Sequence, residues 1–246
     1  MSNEELRMRI AGEVQSAELA RHAKRRSVAA GELFEAILLA MSAEPGPFRQ
    51  VELTKLAVHC RTLWFEDLAL FAFAQAARES ENIGEHERAS TLMIEVGSLY
   101  SRLANLDEAA FWYQRARTAG LAHSCYANAA SASTNLATLA MAREDWSAAH
   151  RLASDSVDFL CRQPNPRTEA ITRAVLILLA EHLDRPIDEA LDHARTLFGA
   201  LAKAPVPEQV RKDAAAALDR QVHKYLSAHP EVDGPTWKHA QLPALW

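Results

Sequence analysis

Apolar residues recur along this chain at intervals of three and four positions, the spacing that places side chains on one face of an α-helix. The segments that show this spacing are rich in Ala, Leu, Glu and Arg, which are good helix formers. Proline, which helix interiors exclude because it lacks the N–H group, is concentrated in four places: residues 44–48, 163–167, 204–207 and from 230 onward. The pattern predicts an all-α protein whose helices lie between these breaks.

A row of small, large and small residues repeats along the chain. In the segment GSLYSRLANLDEAAFWYQRARTAG, residues 97–120, the row is Ala109, Tyr113 and Ala116. The corresponding rows are Ala29, Leu33 and Ala36; Ala69, Phe73 and Ala76; Ala149, Ala153 and Ser156; and Ala190, Ala194 and Leu197. Their first members, at 29, 69, 109, 149 and 190, are separated by 40, 40, 40 and 41 residues, which indicates an internal repeat.

Each repeat is expected to contain two helices. Residues three or four positions apart share a helix face, so a row of small residues admits a close neighbour while the large residue fills the gap beside it. The preceding helix supplies complementary positions: Ala17 and Ala20, Ala57 and Cys60, Gly97 and Tyr100, and Ala137 and Ala140. One such hairpin cannot bury its apolar face alone, whereas stacked hairpins bury it jointly.

The third unit resembles a tetratricopeptide repeat (TPR), through Gly97, Tyr100, the turn ANLDEAA, Tyr113 and Ala116. The turns EDWSAA at 144–149 and RPIDEA at 185–190 resemble the same inter-helix turn. The period exceeds the usual family length by about six residues, and units of this size are similar to those of kinesin light chains, Pins-type adaptors and bacterial peptide-pheromone receptors. The resemblance implies a right-handed superhelical array of antiparallel helix hairpins, with about eleven helices.

We expect a single repeat domain over residues 1–228, followed by an extended tail over 229–246. The predicted units are 10–49, 50–89, 90–129, 130–170 and 171–206, with a capping helix at 207–228. Four large apolar residues in the tail, Trp237, Leu242, Leu245 and Trp246, have no helical face to bury them. The tail is therefore expected to dock, more readily on its own last hairpin than on a neighbouring molecule.

No motif for catalysis, nucleotide binding or metal binding is present. The eight glycines are never closer than thirteen residues, which excludes a GxGxxG turn and a P-loop, and the histidines form no i, i+3 or i, i+4 pair. We therefore predict that the protein is not an enzyme and uses no cofactor and no metal. Cys60, Cys125 and Cys161 are odd in number and far apart, which favours buried free thiols in a reducing compartment.

The net charge and the hydropathy of the chain restrict the classes of partner that it is expected to bind. The net charge of −5 gives no basic footprint for nucleic acid, and no apolar run is long enough for a membrane span or a signal peptide, so a cytoplasmic protein is expected. The cluster RHAKRR at 21–26 is the sharpest charge feature. It is interpreted as a solvated run at a helix end, with contact to phosphate or an acidic partner as the alternative.

The resemblance places a partner-binding groove on the first helix of each unit. Its expected residues are Glu18, Arg21, His22, Thr54, Val58, Arg61, Ile94, Glu95, Ser98, Arg102, Thr134, Asn135, Thr138, Met141, Val175, Leu179 and His182. The Lys and Asn pairs by which chaperone-binding members clamp a terminal carboxylate are absent. The aromatic residues Trp64, Trp112 and Trp146 are interpreted as packing residues.

The predicted function is a non-catalytic scaffold or adaptor that binds a protein or peptide. The alternatives are a dedicated antagonist or chaperone that sequesters one partner, of the immunity or secretion-chaperone type, and an enzyme without a recognisable motif. A monomer or weak homodimer is expected.

Overall fold

The computed structural model describes residues 2–201 and 207–234, which form eleven α-helices and no strand. The helices are α1 (Asn3–His22), α2 (Arg26–Met41), α3 (Pro47–Thr62), α4 (Glu66–Asn82), α5 (His86–Arg102), α6 (Leu106–Ala122), α7 (Tyr126–Ala142), α8 (Trp146–Arg162), α9 (Pro166–His182), α10 (Ile187–Leu201) and α11 (Glu208–Ala228). None of them is long and apolar enough to span a bilayer. The predicted all-α class is confirmed.

Consecutive helices pair into antiparallel hairpins: α1 with α2, α3 with α4, α5 with α6, α7 with α8, and α9 with α10. The predicted units begin a few residues inside the first helix of each hairpin. The hairpins belong to two compact units, Met1–His123 and Ser124–Trp246, called here unit 1 and unit 2. In unit 2, α11 packs on α9 and α10 through Ala214, Ala217, Leu218 and Val222. The predicted tail contacts of Trp237, Leu242, Leu245 and Trp246 lie outside the described residues.

The turn inside each hairpin holds one residue in the left-handed conformation. These residues are Lys24, Trp64, Ala104, Glu144 and Asp184, spaced by 40 positions. In the third hairpin the Ala104 N–H donates to the Ser101 carbonyl (3.0 Å) and the Asn105 N–H to the Tyr100 carbonyl (2.9 Å), which is a Schellman motif. Because none of the five is glycine, each turn costs about 1–2 kcal/mol of backbone energy, which the packing of the hairpin must offset.

The repeated row lies at the centre of the core. The first members of all five rows, Ala29, Ala69, Ala109, Ala149 and Ala190, are completely buried. A methyl group is therefore the largest side chain that these positions accept without displacing the facing helix. The predicted register of the row is confirmed.

The contact between Gly97 and Tyr113 explains the spacing of small and aromatic residues in residues 97–120. A Cβ atom added to Gly97 would lie 2.6 Å from Cε1 of the Tyr113 ring, well inside van der Waals contact. The ring is buried, and its hydroxyl lies 3.2 Å from Ser98 Oγ. The same two register positions hold Ala57 with Phe73 and Ala17 with Leu33 in the other hairpins of unit 1. The larger side chain on one helix is thus matched by a smaller one on the other.

A buried carboxylate fixes the segment that joins the first two hairpins. Glu79 on α4 accepts a hydrogen bond from the Gly46 N–H (2.6 Å), and its other oxygen lies 3.3 Å from Arg49 Nε. Gly46 has a φ of 153°, a conformation that favours glycine. These contacts hold the start of α3 against α4 and so set the orientation of α3.

We predict that Ala109→Leu and Ala149→Leu each lower the free energy of unfolding by about 1–3 kcal/mol, because the larger side chain overpacks a completely buried helix contact. Chemical denaturation followed by circular dichroism measures the change. Ala122→Leu, on the exposed end of α6, is the control and should leave stability unchanged. Equal stability of all three variants would mean that the row is not a packing constraint.

We also predict that Gly97→Ala destabilises the protein and that Tyr113→Leu relieves most of this effect, because the new methyl group collides with the ring. The measurement is a double-mutant cycle of unfolding free energies. A coupling of about 0.5–3 kcal/mol is expected for residues in contact. Additive effects of the two substitutions would contradict the proposed collision.

Candidate partner-binding surface

The predicted groove residues of unit 1 lie on accessible parts of α1, α3, α5 and their ends. Arg21, His22 and Arg102 are exposed, and Val58 retains 39% of its surface. The remaining predicted residues of this unit are half-buried apart from the exposed Glu18: Thr54, Arg61, Ile94, Glu95 and Ser98. These positions are reachable by a partner, and their participation in binding stays a prediction.

Two predicted cations of this surface, Arg61 and Arg102, are already paired within the protein. Arg61 forms an ion pair with Glu95 on the next hairpin, and its guanidinium lies 5.4 Å from the centroid of the Phe73 ring. Arg102 lies 3.5 Å from Glu66. Because each charge has a fixed partner, these side chains are oriented in advance and add little net charge to the surface.

A cavity of about 580 Å³ lies between α1 and α3. Apolar side chains form its floor, and Glu52, Lys55 and His59 stand on the α3 side. The full lining is Glu4, Arg7, Met8, Ile10, Ala11, Val14, Glu52, Lys55, Leu56 and His59. Arg7 Nε lies 3.2 Å from Glu52 Oε1, and this ion pair connects α1 with α3. His59 Nε2 lies 3.4 Å from Glu18 Oε1 at a second contact between the two helices.

The sequence pattern did not predict this cavity, because the first predicted unit begins at residue 10. Helix α1 begins at Asn3, where Ser2 and Glu5 form a reciprocal capping box. The pattern Ser-x-x-Glu is a known signal for a helix start and would have placed Glu4, Arg7 and Met8 on the first helix.

The predicted groove residues of unit 2 are divided between surface and core. Thr138 and His182 are exposed, and Asn135 and Met141 are half-buried. Three assignments are wrong: Thr134 (3% exposed), Val175 (6%) and Leu179 (0%) are core residues. Val175 and Leu179 belong to an apolar cluster with Ala137, Ala149 and Ala153. They are therefore not available to a partner in this structure.

Thr134 is buried because three hydroxyl groups meet at the junction of α7, α8 and α9. Thr134 Oγ1 lies 2.7 Å from Thr172 Oγ1 and 2.9 Å from Ser156 Oγ. The Ala130 carbonyl lies within hydrogen-bonding distance of Thr134 and Ser156, and the Thr168 carbonyl of Thr172. Each buried hydroxyl, which has one proton to donate, therefore has an acceptor in this junction, as burial requires.

Two further predictions about single residues are corrected. Trp64 was expected to pack in the protein interior, but 58% of its surface is exposed. Trp146 does pack, because its ring stacks on His182 with ring centroids 3.9 Å apart. Cys161 is exposed and Cys125 half-buried, whereas burial raises the pKa of the Cys60 thiol to about 12 and makes it unreactive. Within residues 2–201 and 207–234, no cluster of three or more potential ligands could hold a metal ion.

A titratable cluster lies on α8, α9 and α10 of unit 2. Burial, and then the Arg173 guanidinium, lower the pKa of His193 to about 4. Arg173 Nη1 lies 3.2 Å from His193 Nδ1, so this nitrogen accepts the hydrogen bond and the ring is neutral. Glu189, His150 and Asp192 are the other charged or titratable groups that act on it. His150 Nε2 in turn lies 3.3 Å from Glu189 Oε1.

Comparisons with known proteins identify the fold. No protein-family model matches the chain, and no curated protein matches it by sequence. Among solved structures, nearly identical TPR-like repeats named as those of a kinesin light chain from Podospora anserina share 13% identity, with a TM-score of 0.53, over 79% of this chain and 95% of that chain. The fold is a TPR-like helical repeat.

Two other solved structures are similar. One is BtubC (BKLC) from P. vanneervenii, at 17% identity and a TM-score of 0.50, over 86% of this chain and 91% of that chain. The other is a signal-transduction ATPase with numerous domains and a tetratricopeptide repeat sensor, from Pyrococcus horikoshii. It shares 12% identity with a TM-score of 0.53, and the match covers 89% of this chain but 37% of the ATPase. At these identities the likeness concerns the fold alone.

We predict that stability falls as the pH is lowered from about 6.5 toward 4, partly through His193. The unfolded imidazole binds a proton near its ordinary pKa of about 6.5, whereas the folded one resists protonation until about pH 4. The contribution of His193 to the unfolding free energy is therefore complete above pH 6.5 and is lost progressively as the pH falls from 6.5 to 4. His193→Gln should flatten the pH dependence of the unfolding free energy, and the exposed His223→Gln should not. Parallel curves for both variants would contradict the assignment.

Proposed function

We propose that the protein is a non-catalytic binding module that holds a peptide segment or a helix of another protein. The proposed site is the first-helix groove, meaning the accessible surface of α1, α3 and α5 centred on the cavity between α1 and α3. The single observation that carries the proposal is this cavity of about 580 Å³, with an apolar floor and a charged rim.

The size and lining of the cavity fit a segment of polypeptide. Ligand pockets commonly have volumes of about 300–1,000 Å³ and combine apolar walls with a few polar groups that fix orientation. Leu56 and Ile10 form a rigid buried floor, whereas Met8 is exposed and its flexible thioether can adapt to different apolar side chains. The rim offers carboxylates and cations within reach of a peptide backbone.

The fold of the neighbours supports recognition as the role of the repeats. One of the similar structures carries tetratricopeptide repeats as a sensor, and the proposal gives the repeats of this chain a recognition role as well. Cys60, Cys125 and Cys161 form no disulfide, which fits a reducing, cytoplasmic compartment as part of the proposal.

Short random peptides can be selected by display against the whole native protein. We predict that these peptides bind the Ala11→Arg variant about tenfold or more weakly than they bind the native protein. Ala11 is exposed and lines the cavity, so a long charged side chain obstructs the groove without disturbing α1. Fluorescence anisotropy with the synthesised peptides measures the affinity.

Gln114→Arg, on the exposed face of α6, introduces the same side chain away from the groove and should leave the affinity unchanged. If no selected peptide distinguishes Ala11→Arg from the native protein, the first-helix groove is not the binding site.

A further inference from the structure

Three cations and one histidine at the turn between α1 and α2 form no ion pair with any described residue. They are Arg21, His22, Lys24 and Arg25, and all four are exposed. Several other basic residues of unit 1 have acidic partners within 4 Å: Arg7, Arg49, Lys55, His59, Arg61, Arg88, Arg102 and Arg115. This turn is therefore a local concentration of positive charge that has no acidic partner among the described residues.

The helix dipole does not account for the whole cluster. Arg21 and His22 lie in the last turn of α1, where a cation is favourable, but Lys24 and Arg25 lie beyond it. The equivalent first-helix ends of α3 and α5 also carry basic residues, His59 with Arg61 and Arg102, but each of these lies within 4 Å of a carboxylate. The turn between α1 and α2 differs because its basic residues have no such partner among the described residues.

The cationic turn directly adjoins the turn of the next hairpin. Arg26 Nη2 donates a hydrogen bond to the Trp64 carbonyl at 2.7 Å, and the Arg26 guanidinium lies 5.1 Å from the centroid of the Phe65 ring. Arg26 is thereby used as a connection between the two turns, while its four neighbours remain available.

Trp64 is an unusual residue for its position. It has a φ of 64° in the left-handed region, where a bulky side chain is a genuine outlier, and the equivalent turns carry Lys24, Ala104, Glu144 and Asp184. Its ring remains 58% exposed, and the Arg102 guanidinium lies 5.7 Å from the ring centroid. The neighbouring Leu103 is also exposed. All five equivalent turns carry this backbone conformation, so what distinguishes Trp64 is its large exposed ring.

We propose that these residues form a second binding surface, the turn surface, which binds an acidic segment of another protein. The turn surface consists of Arg21, His22, Lys24, Arg25, Trp64 and Leu103. Carboxylates of the partner pair with the cations, and an apolar side chain of the partner packs on the Trp64 ring. Tryptophan and arginine are the residue types that most often dominate the energy of protein interfaces.

Charge complementarity favours an acidic protein over nucleic acid. The cations occupy one turn rather than a stripe along a backbone path, and the chain carries a net charge of −5. Glu18 lies within 4 Å of His59 and Glu66 within 4 Å of Arg102, so these two carboxylates are engaged with other residues.

The test selects short random peptides by display on the Ala11→Arg protein, in which the first-helix groove is obstructed. Enrichment of Asp and Glu among the selected peptides is expected. Anisotropy titrations with the synthesised peptides should show a loss of about tenfold or more for the Lys24→Glu/Arg25→Glu variant. Arg78→Glu, at an exposed cation of α4 without an ion pair among the described residues, is the matched control and should bind as before.

Trp64→Gly separates binding from folding. Glycine adopts the left-handed conformation without strain, so the melting temperature should stay equal or rise while peptide affinity falls about tenfold. A ring that served only to stabilise the turn would instead give a lower melting temperature and unchanged affinity.

The proposal is overturned if the selected peptides are not acidic, or if they bind the Trp64→Gly and charge-reversal variants normally. Poly-uridine RNA and vesicles of phosphatidylserine and phosphatidylcholine are tested in the same way. The proposal is equally overturned if one of these ligands binds the Lys24→Glu/Arg25→Glu variant more weakly while acidic peptides bind it normally. Because the groove is obstructed throughout, failure here leaves the proposed function of the first-helix groove untouched.

Discussion

The close approach of the two helices in each hairpin is the constraint on which the structure depends. A completely buried alanine near the start of the second helix of each hairpin sets this distance. A small and a large side chain that face each other across the two helices set it further along the hairpin. Glycine faces tyrosine in the third hairpin, whereas alanine faces phenylalanine or leucine in the other two hairpins of unit 1. The left-handed turn residue precedes the alanine by five positions in four hairpins and by six in the last. The turn therefore fixes the register of the second helix, so that the alanine lies at the contact between the two helices.

The sequence was sufficient to predict this constraint but insufficient to predict how neighbouring hairpins cover the first helices. Small residues at a helix contact leave a visible period, because any larger residue is excluded. Exposure of a first-helix residue depends instead on the distance to the next first helix. Thr54, Ile94 and Thr134 are spaced by 40 positions, yet the first two are half-buried and the third is buried.

Side-chain length explains this difference between equivalent positions. In unit 1 the first helices are connected by long ion-paired side chains, such as Arg61 with Glu95 and Arg7 with Glu52. In unit 2, α7 packs directly on α9 through short hydroxyl side chains, including Thr134 with Thr172. The shorter connection brings the helices together and removes the space that the prediction assigned to a partner. A cavity therefore lies between α1 and α3, whereas Val175 and Leu179 of α9 lie in the core.

The two proposed surfaces of unit 1 rest on different physical forces. The charges at the first-helix groove are largely compensated by ion pairs within the protein, so its selectivity must come from the shape of the apolar floor and from fixed hydrogen-bonding groups. The cations of the turn surface are uncompensated, so they attract an acidic segment over about a Debye length and raise the rate of encounter. Helix α1 contributes to both, with Ala11 and Val14 in the groove and Arg21 and His22 at the turn. Binding at the turn surface should therefore weaken with salt far more steeply than binding in the groove, which makes ionic strength the variable that distinguishes the two.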